Sequence, residues 1–222
     1  PFRLMTILNR LGDTHTMLKL DTSGLKHLPI SLRWYADGAY VIAASVAYSD
    51  LLGARLTHVG ALTVDQVVTR LSPLVTHENR AGLELQLPTF LRITDALKFV
   101  GVVPNSASVT LRFKTKSGAI DRTLASVSAS DHTVSPWSRL PHVSALYERK
   151  PRFAHWNDWL PKTQTLYFKY NRCADSAAFN RLVNGTTNFM AQNPARRFVV
   201  DLRDNPGGNS LVFRPLLNYL AS

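Results

Sequence analysis

"RRFVVDLRDNPGGNS", residues 196–210, joins an apolar run to a polar turn with two glycines, and a helix-like stretch from Leu211 to Leu220 follows at once. Phe198, Val199 and Val200 favour a strand, and Asn205, Pro206, Gly207 and Gly208 end it. Upstream, "TLYFKYN" (165–171) reads as a second strand. Between the two, Phe179, Leu182, Val183, Thr186, Phe189 and Met190 recur at helical spacing. Strand, helix, strand, helix predicts a parallel crossover in an α/β layer, with "FVVDL" buried. Ligands and reacting groups in such layers collect beyond the carboxyl ends of the strands, where "DNPGGNS" lies. Gly207 and Gly208 reach backbone angles closed to other residues, so their N–H groups can point outward as paired donors for a developing oxyanion. The same residues also fit a tight strand-to-helix turn with Asn209 or Ser210 as N-cap. Asp201 and Arg203, two apart on one face, are read as braces of the turn.

Working outward, Phe2, Leu4, Met5, Ile7, Leu8 and Leu11 predict an N-terminal helix stopping at Gly12, and "DTHTMLKL" predicts a turn into a short strand. Residues 27–130 are mainly strands: "ISLRW", "AYVIAAS", "ARLTHVG", "SVTLRFKT", a "KSG" hairpin turn and "IDRTLAS". Two helical stretches, Val64 to Leu74 and about Thr89 to Val100, interrupt them. Residues 131–164 carry Pro136, Pro141, Pro151 and Pro161 and read as a long ordered connection containing a domain boundary. Trp156 and Trp159 are read as packing residues of that connection, with a cleft-lining role as the alternative.

The bulk properties narrow the function. The chain is 45% hydrophobic and 18% charged over 222 residues, which suits a folded protein rather than a disordered one. Its longest apolar run, "AYVIAASVAY" (39–48), is about half of what a bilayer-crossing helix needs. The net charge of +11 raises nucleic acid as a partner, but Lys and Arg occur as scattered pairs, such as Lys114 with Lys116 and Arg196 with Arg197, not as a basic run. That scatter predicts a solvated basic surface. Cys173 is the one cysteine, so neither an intrachain disulfide nor a multi-cysteine metal site can form, and it is read as a small core side chain.

"FVVDLRDNPGG" (198–208) closely resembles the strand and oxyanion loop of the tail-specific, or C-terminal-processing, serine peptidases and their tricorn-like relatives, whose pattern is Asp-Leu-Arg-x-Asn-x-Gly-Gly. "RLGDTHTML" (10–18) is similar to that family's Leu-x-Asp-x-His-Thr segment. "YSDLLGARLTHVGALTV" (48–64) stands where the embedded PDZ-like domain has an apolar loop, Gly, strand and Gly. The resemblance implies an α/β fold. Residues 1–26 and 165–222 would form part of a ClpP/crotonase-like protease core, and 27–130 a mainly-β PDZ-like domain with a helical insertion at roughly 75–105. It also implies a peptide or protein substrate, no cofactor or metal, a periplasmic or secreted location, and a nucleophilic serine C-terminal to Ser222. The chain by itself would then be inactive.

The resemblance assigns the general base to His15, with the Thr14 hydroxyl as its relay, and the oxyanion donors to Gly207 and Gly208. In the Ser-Lys branch a later Lys is the base, and His15 is structural. A neutral imidazole near its unperturbed pKa of about 6.5 suits such a base. Asp13 is read as a turn residue, and Ser210 as a helix cap, since no Gly-x-Ser-x-Gly elbow surrounds it. His77 and Glu78 lack the second histidine of a zincin helix, and His27, His58, His132, His142 and His155 show no metal-ligand spacing. The alternative function is a catalytically inactive peptide-binding module that adds a peptide strand to an exposed edge of the PDZ-like sheet.

Overall fold

The computed structural model describes residues 1–129, 137–140 and 145–221. The chain is a mixed α/β protein with several sheets, divided into two compact units, Pro1–His142 and Val143–Ser222. Pro136, Pro141, His132 and His142 lie outside the described residues.

The first unit is built on a sheet with the strand order β2 (Ile30–Tyr35), β3 (Gly38–Ser45), β4 (Arg55–Val59), β6 (Ser108–Thr115), β7 (Gly118–Ala125). Short strands β5 (Leu62–Thr63) and β9 (Trp137–Arg139) add to β4 and β3. Strands β1 (Lys26–His27) and β8 (Val127–Ser128) pair separately. β6 shows why the sheet has an inside. Val109, Leu111 and Phe113 are buried, while Thr110, Arg112 and Lys114 alternate outward, the period expected of a strand with one face on a core. Helix α2 (Val64–Leu71) starts at Thr63, whose hydroxyl accepts from the Gln66 N–H while the Gln66 side chain accepts from the Thr63 N–H. That reciprocal box satisfies two orphan amides and sets Val64, Val67, Val68 and Leu71 onto the sheet.

The expected insertion forms two helices, α3 (Arg80–Phe90) and α4 (Thr94–Phe99). The second stretch starts earlier than the sequence pattern suggests because the Asn79 side chain accepts from the Gly82 N–H and caps a helix there. Leu83, Leu87, Phe90, Leu91, Ile93 and Leu97 enter the same core as Ile30 and Leu32, so the insertion is a layer of this unit. Helix α1 (Phe2–Asn9) forms where expected but ends at Asn9, short of Gly12, and its partner differs from the one the resemblance implies. Phe2 and Met5 are buried in this first core, and the Phe2 and Phe99 rings lie 5.4 Å apart. Segment 1–26 therefore packs with residues 27–129. The strand expected after "DTHT" does not form, since no described strand pairs with residues 17–20 and alternation alone supplies no ladder bonds. Leu18 and Leu20 pack on the core instead.

The second unit holds a three-stranded sheet, β10 (His155–Leu160), β11 (Thr165–Tyr170) and β12 (Arg197–Asp201), with α5 (Ser176–Gln192) as the crossover and α6 (Arg214–Leu220) last. β11 and β12 run parallel, as expected, and every residue of β11 is buried. Two readings change. Part of the expected connection is β10, antiparallel to β11 over its whole length. β12 is not the buried strand: Asp201 is its one buried residue and Val199 is 39% exposed. Among the described residues it pairs only with β11, and burial on both faces requires a layer on each, which an apolar run cannot reveal. The core of this unit is Phe168, Tyr170, Phe179, Val183, Val212 and Leu216, with edge-on ring contacts around Phe179.

Candidate functional site

Parallel pairing places Lys169 opposite Asp201 at the carboxyl end of the sheet. The Lys169 ammonium is fully buried, donates to the Arg203 carbonyl oxygen and lies 3.7 Å from Asp201 Oδ1. Asp201 also accepts from the Tyr167 hydroxyl (2.6 Å), from the Arg203 N–H (2.9 Å) and from the Arg203 guanidinium. That guanidinium stacks 4.0 Å over the Tyr147 ring. Burial works to raise the Asp201 carboxyl, but bonds from the Arg203 side chain, Tyr167 and the Arg203 amide outweigh it and hold the group well below the usual carboxylate range. Burial, then the Asp201 bond, pushes the Tyr167 hydroxyl well up. This is the brace expected of Asp201 and Arg203, with Lys169, Tyr167 and Tyr147 added. A lysine inside the apolar run "TLYFKY" was the available signal.

Beyond this anchor the backbone enters the left-handed region three times, at Asp204 (φ 64°), Gly207 (φ 93°) and Gly208 (φ 121°). Asn205 ties the turn down: its Nδ2 donates to the Tyr170 carbonyl (2.8 Å) and its Oδ1 accepts from the Gly207 N–H (2.7 Å). The Cys173 N–H donates to the Gly207 carbonyl, and Cys173 bridges to Gly208. A Cβ on Gly208 would lie 2.9 Å from the Cys173 carbonyl oxygen, whereas one on Gly207 would meet nothing within 4 Å. Cys173 is half-buried: it walls the turn and packs against the core of the second unit. Asn209 caps the following 3₁₀ turn by accepting from the Leu211 N–H, with Ser210 as the first residue of that turn.

The two amides therefore differ. The Gly207 N–H is held inward by Asn205, and the Gly208 N–H meets no acceptor among the described residues. Sequence reading treats them as a pair because it cannot see that the Asn205 side chain, two residues back, closes on the first of them.

His15 and Thr14 belong to the first unit. The His15 side chain is 94% exposed, with Nδ1 3.6 Å from Asp13 Oδ1. Asp13 accepts from the His15 N–H and the Thr16 hydroxyl, which is the expected turn role, and these bonds, the Thr16 one foremost, hold its carboxyl below the ordinary value. The Thr14 hydroxyl donates to Glu78 Oε1 at 2.7 Å, not to His15. Ligand-capable atoms of Asp13, His15 and Glu78 fall within 4.8 Å of one another, all three residues exposed. Sequence spacing could not show this trio, because Glu78 is distant in the chain.

Among the described residues no helix is long and apolar enough to cross a membrane. The chain matches no family model and no curated protein. Structure alone defines a mixed α/β protein of two units with a braced glycine turn at the carboxyl end of a parallel strand pair.

Proposed function

We propose that this chain is part of a serine endopeptidase similar to the tail-specific, tricorn-like group, with a PDZ-like first unit and the start of a ClpP/crotonase-like core as the second. The observation that supports it is the turn at 204–208. Two glycines in the left-handed region are held by Asn205 and Cys173 at the carboxyl end of β12, and the Gly208 N–H has no acceptor among the described residues. In this reading a serine C-terminal to Ser222 attacks the substrate carbonyl, and His15 or a later Lys accepts its proton. The Gly208 N–H then donates to the oxyanion, joined by the Gly207 N–H once that leaves Asn205 Oδ1. An active-site fluorophosphonate should label the intact protein, and changing the downstream serine to Ala should abolish the label. Absence of labelling, or its survival in that variant, overturns the reading.

A second reading, a non-catalytic peptide-binding module, is favoured by two observations: the Gly207 amide is already bonded and the Thr14 hydroxyl is engaged by Glu78. A peptide strand would then add to the sheet through the edge strand β7, which pairs only with β6 among the described residues. Peptide-induced amide shifts confined to β7 in an unlabelled protein would select it.

A further inference from the structure

We propose that the cleft between β10 and α5 in the second unit binds a small apolar carboxylate, with the acid group on Arg181. The cleft has a volume of about 340 Å³, at the small end of pockets that enclose organic ligands. Leu166, 2% exposed, forms part of its floor, and Trp159, Leu182 and Phe189 form its walls. The Trp159 and Phe189 rings meet edge to face, 5.4 Å between centroids, and give the cleft two aromatic surfaces. Arg181 is the one charged residue lining the cleft, and it has no hydrogen-bond or ion-pair partner among the described residues. Its planar fork matches a carboxylate bidentately, which a neutral amide or ester cannot reproduce.

Gly185 lies four residues after Arg181 on the same helical face and also lines the cleft. A Cβ there would meet nothing within 4 Å, so the space beside the helix is open and a larger side chain at this position would enter it. A glycine inside a 17-residue helix costs about 1 kcal/mol relative to alanine, and no turn, positive φ or close backbone approach requires it here. The ligand chemistry is thus an aryl or branched alkyl body with a carboxylate one short chain away. A free acid and the C-terminal residue of a peptide both present it. None of these residues belongs to the glycine turn, so the inference stands independently of the peptidase reading.

The test is calorimetric titration of the full 222-residue chain with 4-phenylbutyrate and, separately, with 4-phenylbutyramide. A ligand of this size should bind saturably with a dissociation constant on the order of 1 mM, and the amide should bind at least about tenfold more weakly. Arg181→Met should reduce acid binding by a similar factor. Gly185→Leu should abolish it by filling the cleft, with an unchanged circular dichroism spectrum. Should the leucine variant fail to fold, Arg181→Met and the acid-against-amide comparison still decide. A short peptide ending in Leu-Phe with a free carboxylate, compared with its amidated form, separates the sources. Tighter binding of the free-acid peptide than of phenylbutyrate assigns a peptide terminus, and weaker binding assigns a free acid. No saturable heat, equal affinity for acid and amide, or unchanged binding in Arg181→Met overturns the proposal.

Discussion

Lys169 and Asp201 face each other across parallel strands with 3.7 Å between Nζ and Oδ1, and their side chains are 0% and 5% exposed. A lysine in the central strand of a small sheet is tolerated because Asp201 and the Arg203 carbonyl oxygen replace its water. Removing one partner leaves the other charge buried. Asp201→Asn should therefore cost about 3–5 kcal/mol in urea unfolding, and Lys169→Met a comparable amount. The double variant should lose clearly less than the sum, and additive losses would show that the two charges do not depend on each other.

Acid should act on the same pair. The folded Asp201 carboxyl sits below its unfolded value of about 3.9, so its stabilisation is complete above that pH and is lost as pH falls further toward the folded value. Wild-type melting temperature should drop more steeply than that of Asp201→Asn between about pH 4 and pH 2. Parallel curves would contradict the assignment.

The two turn glycines should differ in tolerance. Gly207→Ala meets only the left-handed backbone penalty, about 1–2 kcal/mol. Gly208→Ala adds a 2.9 Å contact with the Cys173 carbonyl oxygen and should be the more destabilising of the two in thermal unfolding.

In the first unit, Thr63→Ala removes the side-chain half of the capping box and should cost about 1 kcal/mol, read as a lowered urea midpoint with an unchanged m-value.

His15 separates function from fold. With its side chain 94% exposed, His15→Ala should change stability by less than about 0.5 kcal/mol. If His15 is the general base of the intact protein, the same change should slow fluorophosphonate labelling by about 10²-fold or more. An unaltered labelling rate would assign the base to a later Lys.

What could be read from the sequence was local. The β6–β7 hairpin, the N-terminal helix, the parallel β11–α5–β12 crossover and the turn at 204–208 follow from periodicity and turn chemistry within a few neighbouring residues. "HWNDWL" escaped as a strand because its mixed polarity and the flanking Pro151 and Pro161 resemble a connection, and only pairing along β11 makes it β10. Candidate residues were legible as types, not as contacts: Thr14 against Glu78, Lys169 against Asp201 and Cys173 against Gly208 join positions about 30 to 60 residues apart.

By itself, then, the sequence determined where the backbone turns and which residues prefer helix or strand, because those choices depend on side chains within a turn or two. Tertiary structure decided that β12 pairs only with β11 among the described residues, that α1 joins the first core, that a buried ammonium braces the glycine turn, and that one of its two amides is already taken. Each of these depends on which surfaces meet, and hydrogen bonds and buried charges are settled by partners that neighbouring residues do not specify.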